Sequence, residues 1–182
     1  MACSGANSCT ILLCFFAFYV LTSVGTGATH LHFYMHDTLS GRSPSAFRLV
    51  KGKGAIPGFW AYFGDVVVAD DPLTEGPDPK SRGVGRIQGF YITVSHNRPV
   101  LLVSLEAVLS EDGPYNGSTI SISGRNDITE RVRELSVVGG SGAFRMARGY
   151  VLWRTHFVNL TSRNAILELD VYATTATTDQ KY

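Results

Sequence analysis

The alternation of apolar and polar residues with a period of two constrains the fold of this chain more than any other feature of its sequence. The segment GFYITVS (89–95) places Phe90 on one face and Tyr91 on the other, and STISIS (118–123) and AILELDVY (165–172) repeat the pattern. Successive side chains of a β-strand point to opposite faces of the sheet. Each segment therefore predicts a strand with two chemically different sides.

Further strands are predicted along the chain, and the sequence lacks a convincing amphipathic helix between them. They cover residues 30–36, 59–69, 100–109, 131–138 and 149–158, so that the total is about eight strands. Parallel strands need long, usually helical, crossover connections, so we expect antiparallel pairing. Closure removes exposed sheet edges, and the sequence predicts an all-β, eight-stranded antiparallel β-barrel. Segments 39–58 and 70–85 are expected to be rim loops of a barrel that can hold one small ligand.

The N-terminal segment is predicted to be a secretory signal peptide. Residues 11–24 form an apolar run of 14 residues, which is short for a membrane span and ends in the small residues GTGA. The first ten residues contain no Lys or Arg, and a short membrane anchor is the alternative. We expect a signal peptide at 1–28, a barrel domain at 29–175 and a flexible tail at 176–182.

Secretion would determine how the cysteines and two glycosylation motifs are interpreted. All three cysteines precede residue 15, so we expect no disulfide, cysteine nucleophile or thiolate metal site in the mature protein. Asn116 and Asn159 each begin an Asn-X-Ser/Thr motif and are predicted N-glycan acceptors. The chain has 16 basic and 15 acidic residues, a balance that argues against nucleic acid or an anionic membrane surface as a partner.

Asp37 is the first candidate for chemistry. In HLHFYMHD (30–37) it shares a strand face with the apolar residues Leu31, Phe33 and Met35. Burial in a cavity would raise its pKa toward the range useful for general acid or base catalysis. A strand-end aspartate that caps a turn is the alternative.

Other candidates are weaker on sequence alone. His30, His32 and His36 invite a metal hypothesis, but no acidic residue on that strand face completes a ligand set, and we predict no metal site. Arg131 and Arg133 share a strand face and could hold a phenol or carbonyl oxygen inside the barrel. Tyr91, Tyr150 and Trp153 could stack against an aromatic ligand or simply fill the core. A paired-carboxylate glycosidase stays open, since sequence spacing does not give distance in space.

The glycine cluster GGSG (139–142) is predicted to be a turn. A dinucleotide fingerprint needs a third glycine that opens a helix, and a P-loop needs Gly-Lys-Ser/Thr. Neither pattern is present, and the flanking Val137, Val138, Tyr150 and Val151 favour strands. We therefore expect no nucleotide cofactor.

The chain resembles the dirigent family of plants over essentially all of its mature sequence. The matching segments are FYMHD (33–37), GRIQGFY (85–91), GRND (124–127) and the long block RELSVVGGSGAFRMARGY (133–150). The resemblance implies a calycin-like, eight-stranded barrel that is secreted to the apoplast, glycosylated and homo-oligomeric as a dimer or trimer. It also implies an apolar cavity in each subunit and no cofactor.

The resemblance further implies a role in lignan and phenylpropanoid biosynthesis. Family members impose stereochemistry on the coupling of phenoxy radicals derived from monolignols such as coniferyl alcohol, and a separate laccase or peroxidase performs the oxidation. On this basis we expect a stereochemical guide without its own oxidative centre. The alternatives are a cofactor-free isomerase or dehydratase that acts on a quinone methide in the same cavity, and a non-catalytic defence-related binding protein.

Individual residues carry over from the matching motifs. Asp37 matches the family aspartate that acts on the quinone methide, Arg133 the cavity arginine and Tyr91 a cavity tyrosine, and Phe90 beside it is also expected to bind substrate. Pinoresinol-forming members have an aspartate where this chain has Asn126, followed by Asp127. Asparagine cannot exchange a proton near neutral pH. We expect both Asn126 and Asp127 to bind substrate.

Overall fold

The computed structural model describes residues 26–176, and these residues form an all-β fold. A short 3₁₀ helix lies at Gly142–Phe144. The strands are β1 (Thr26–Asp37), β2 (Ala46–Val50), β3 (Gly54–Ala55), β4 (Tyr62–Phe63), β5 (Val66–Thr74), β6 (Gly83–Thr93), β7 (Val100–Leu109), β8 (Thr119–Asp127), β9 (Arg133–Gly140), β10 (Arg148–Val158) and β11 (Ala165–Ala176).

Eight of these strands form a closed antiparallel barrel, which confirms the predicted fold class. From β5 to β11 each long strand pairs with the next one in the chain, and β11 then pairs with β1 along its whole length. β1 returns to β5 through the pairs Tyr34↔Thr74 and Met35↔Leu73. This short contact closes the barrel, and β2 pairs with β5 beside it.

The two predicted rim loops are wrong over much of their length. β2 lies inside segment 39–58, and β5 and β6 occupy residues 70–74 and 83–85 of the second segment. The residues Asp70, Asp71 and Pro72 resemble a turn in sequence, yet Pro72 pairs with Arg86 in the β5–β6 ladder. Proline is tolerated there because β5 pairs with β1 over only two residues.

The ends of the chain lie mostly outside the described residues. The predicted signal peptide (1–28) and tail (176–182) overlap the structure only at residues 26–28 and 176, which belong to β1 and β11. Within residues 26–176, no helix is long and apolar enough to cross a membrane.

Alternate side chains of each strand point into the barrel and fill one half of it. This packed half includes Phe33, Leu73, Ile87, Ile120 and Leu169, all almost completely buried. The predicted glycine turn (139–142) is only partly correct, because Gly139 and Gly140 end β9 and the connection to β10 begins at Ser141. Phe144 of the 3₁₀ helix in this connection closes the packed half. The other half of the interior is open.

Candidate functional site

A cavity of about 700 Å³ occupies the open half of the barrel. Its walls are mainly apolar side chains that continue the inward rows of the packed half: Met35, Val67, Leu101, Val103, Leu105, Trp153 and Leu167. Its rim includes Trp60 and residues 160–163 of the β10–β11 loop. The volume lies in the range of pockets that enclose one drug-sized organic molecule.

Asp37 and Tyr91 form a buried polar pair in the cavity wall. The Tyr91 hydroxyl donates a hydrogen bond to Asp37 Oδ2 at 3.1 Å, whereas Asp37 Oδ1 has no partner among the described residues. Burial raises the pKa of Asp37 to about 6, although the hydrogen bond from Tyr91 opposes the shift. Burial and the nearby Asp37 raise the pKa of Tyr91 well above its usual value. Asp37 is thus a carboxyl group able to exchange protons near neutral pH.

Arg133 and Asn126 lie on another wall, formed by β9 and β8. Arg133 is 2% exposed. Its Nε donates to Asn126 Oδ1 at 3.0 Å and its Nη1 donates to the Glu130 carbonyl oxygen at 3.2 Å. Among the described residues no carboxylate forms an ion pair with it, and burial lowers its pKa. A buried guanidinium bonded only to neutral groups can stabilise an oxygen on which negative charge develops.

The structure does not bring Asp127 to the cavity. Its carboxylate is buried on the other side of β8, where Arg98 Nη2 lies 2.7 Å and Arg125 Nη2 3.2 Å from Oδ2. Oδ1 accepts a hydrogen bond from Thr129 Oγ1 at 2.7 Å. Although burial acts in the opposite direction, the bonds from Thr129 and the two arginines lower the pKa of Asp127. It therefore does not supply an acid in place of Asn126.

Phe90 also lies outside the cavity. Its side chain is 40% exposed on the outer face of β6, whereas Tyr91 and Thr93 point inward. Of the aromatic residues that could stack on a ligand, Trp153 lines the cavity, and its Nε1 is buried without a partner among the described residues. Tyr150 is exposed and stacks on Tyr172.

Both predicted glycosylation asparagines are exposed in loops. Asn116 lies between β7 and β8, and Asn159 lies in the β10–β11 loop whose next residues form part of the cavity rim. The Asn159 Oδ1 accepts hydrogen bonds from the backbone N–H groups of Thr161 and Ser162. Their exposure is the condition that a glycan acceptor must meet.

Strand pairing places acidic residues beside the N-terminal histidines, contrary to the sequence argument. Asp170 of β11 lies opposite His32, and its Oδ1 is 2.9 Å from His32 Nδ1 and 3.0 Å from His30 Nε2. With Glu168, the His32 and Asp170 side chains form a group that could hold a metal ion on the outer surface. The Arg154 guanidinium already provides a positive charge at this cluster, because its Nη1 forms an ion pair with Asp170 Oδ2 at 2.6 Å.

The sequence analysis did not predict that Asp71 faces the interior of the barrel. The sequence predicts a loop at Asp71, because Asp70, Asp71 and Pro72 resemble a turn, yet this residue is completely buried in β5. The alternation of Val67, Ala69 and Leu73 around it was the signal that could have placed it inside the barrel.

The sequence matches the family described as Dirigent-like protein over residues 28–174. It is 44% identical to Dirigent protein 1 of Arabidopsis thaliana over 144 residues, covering 79% of this chain and 77% of that protein. It is 46% identical to Pterocarpan synthase 1 of Glycine max over 149 residues, with the same coverage of 79% and 77%.

The fold is similar to a solved structure of a pterocarpan synthase dirigent protein. The TM-score is 0.78 at 40% sequence identity, and the match covers 84% of this chain and 97% of the other. The sequence match extends over nearly the whole described barrel and includes both walls of the cavity. The chain therefore belongs to the dirigent family.

Proposed function

We propose that the cavity binds a phenolic quinone methide and directs the addition of a hydroxyl nucleophile to one face of it. One observation carries this proposal: an acid–base carboxyl group, Asp37, and a guanidinium without a carboxylate partner, Arg133, lie in the walls of the same apolar cavity. The similarity to a solved pterocarpan synthase dirigent protein, with a TM-score of 0.78, supports a catalytic role for this barrel.

The two groups perform complementary steps. The Asp37 carboxylate takes the proton of the attacking hydroxyl group, and the O–H electrons form the new C–O bond to the methide carbon. The ring becomes aromatic, and the negative charge reaches the former carbonyl oxygen. Arg133 stabilises this phenolate until it takes up a proton from solvent. The apolar walls restrict the approach, and a difference of about 1.4 kcal/mol between the two faces gives tenfold selectivity.

Guidance of phenoxy-radical coupling is the second candidate. Radicals couple without an acid or base, so a cavity of about 700 Å³ needs only to hold the two phenols in one relative orientation. The family membership supports this function, with a separate laccase or peroxidase as the oxidant. The proposal includes secretion to the apoplast, where the protein would encounter such oxidases.

Chiral chromatography in two parallel reactions distinguishes these functions. A preformed quinone methide without oxidant should give a non-racemic adduct if the first proposal holds. Coniferyl alcohol with a one-electron oxidant should give non-racemic dimers if the protein guides radical coupling. Racemic products in both reactions, with saturable phenol binding, would instead support a non-catalytic binding protein.

Asn126→Asp tests what the missing second acid does. The new carboxylate would lie against Arg133 Nε, where Asn126 Oδ1 is now 3.0 Å away. Radical coupling of two such phenols leaves quinone methides, and ring closure by a side-chain hydroxyl group needs a proton acceptor. We expect the enantiomeric excess in the oxidant reaction to rise, since Asn126→Asp makes a second acceptor available for this later step. Asp127→Asn is the matched control, because this neighbour faces away from the cavity. An unchanged product profile in Asn126→Asp would contradict the expectation.

We also propose that the barrel forms homo-oligomers through its outer face. Phe47, Val68 and Phe90 lie side by side on β2, β5 and β6 and are 56%, 39% and 40% exposed. A contiguous exposed apolar row of this kind is typical of a protein interface. In light scattering, Phe90→Asp should reduce the mass to that of a monomer. Met146→Asp, at an exposed hairpin residue, should leave the mass unchanged.

A further inference from the structure

Asp71 is a buried carboxyl group that the proposed mechanism does not use. It is 0% exposed, and neither carboxylate oxygen has a hydrogen-bond partner among the described residues. It does not line the cavity, so it cannot touch a ligand there. Because an ionised carboxylate is very costly without partners in a protein interior, this site favours the protonated form of Asp71.

The barrel closure makes Asp71 a neighbour of Asp37. β1 pairs with β5 through Tyr34↔Thr74 and Met35↔Leu73, and the same register continued by two residues sets Asp37 against Asp71. The strands separate just beyond the last pair, where Ser45 and Ala46 hydrogen-bond to Thr38. Asp37 and Asp71 are thus buried neighbours at the point where the strands diverge, close enough for the charge of Asp37 to act on Asp71.

The surrounding groups do not neutralise this pair. On the cavity side, Tyr91 donates to Asp37, and the nearest carboxylate to Arg48 is Asp65, at 3.7 Å. On the outer face of the barrel, Arg86 is paired with Asp70 at 2.6 Å.

The groups next to Asp71 do little to stabilise its ionised form. Ser45 lies beside it, but the Ser45 hydroxyl donates to the His36 carbonyl oxygen at 3.2 Å. Burial and the charge of Asp37 raise the pKa of Asp71 to about 8, and Ser45 and Arg86 only partly oppose this.

We propose that Asp71 is a positioning residue for Asp37: it holds a proton behind the cavity wall, so that the pair carries a single negative charge, located on the residue that faces the ligand. This deepens the proposed function and rests on it for the role of Asp37. When Asp37 accepts a proton from the substrate hydroxyl group, the pair holds two protons. One of them then leaves to solvent, which restores the starting state.

The test is a carbon-detected NMR titration of the aspartate carboxyl groups, which needs no substrate. The wild-type protein should show two carboxyl groups whose titration midpoints are raised, one at about pH 6 and the other at about pH 8. Asp71→Asn should remove the upper step and leave the lower one. Asp37→Asn should leave one step, at lower pH than the upper wild-type step, because the neighbouring negative charge is gone. The adjacent, exposed Asp70→Asn is the matched control and should keep both steps.

Two results would overturn the proposal. One is a midpoint for Asp71 near 4, the ordinary value for a carboxyl group. The other is an Asp71 step that does not move in Asp37→Asn. Neither depends on activity, so both remain informative if the protein does not act on quinone methides. If Asp71→Asn does not fold, the comparison of wild type with Asp37→Asn still decides the question.

Discussion

Asp37→Asn is expected to lower the rate of quinone methide conversion about 10³-fold, or about 4 kcal/mol of transition-state stabilisation. Asparagine keeps the size of the side chain and can still accept the hydrogen bond from Tyr91. It cannot take a proton from the nucleophile. The measurement is the initial rate and the enantiomeric excess without oxidant.

The pH profile gives the same experiment a second readout. Because the carboxylate is the active form, the wild-type rate should fall as the pH drops through about 6, the raised pKa of Asp37. The slow residual rate of Asp37→Asn should lack this dependence. Asp112→Asn, at an exposed loop residue, is the control and should behave like the wild type. Full selectivity in Asp37→Asn would show that this carboxyl group takes no part in the reaction.

Stability separates loss of chemistry from loss of fold. The folded-state pKa of Asp37 is raised from 3.8 to about 6, so its contribution to stability is fully present below about pH 4 and is lost as the pH rises through 6. The loss for this shift is on the order of 3 kcal/mol. Asp37→Asn should therefore be at least as stable as the wild type at pH 8 in urea unfolding.

Arg133→Met is expected to lower the same rate about 10²- to 10³-fold. Methionine replaces the apolar stem of the arginine but provides no charge for the phenolate that forms in the reaction. Arg133→Lys keeps a positive charge but loses the planar donor set that binds Asn126 and Glu130. We expect it to retain part of the activity.

Arg131→Met is the matched control, since Arg131 is exposed and lies two residues before Arg133. It should retain the wild-type rate. The pH midpoint near 6 should persist in Arg133→Met, because that midpoint belongs to Asp37. A wild-type rate in Arg133→Met would show that the guanidinium does not stabilise the transition state.

Strand alternation predicted much of the fold but did not tell which face points inward. The row that includes Phe90 is the more apolar side of its strand, yet it lies outside, and Tyr91 and Thr93 face the cavity. In a barrel whose outer surface is itself apolar, hydrophobicity does not distinguish the two faces. Similarly, Arg131 and Arg133 were equivalent in pattern, and only the start of β9 at Arg133 separates the exposed arginine from the buried one.

The amino-acid sequence by itself determined the all-β class, the antiparallel order and the alignment of Asp37 with an apolar strand face, because these follow from local periodicity and turn residues. Only the tertiary structure decided that Asp37 has Asp71 as its neighbour, that Arg133 has Asn126 and no carboxylate beside it, and that half of the interior stays open. These features depend on the register across the barrel closure, which joins residues far apart in the chain, and local sequence patterns carry no information about such pairings.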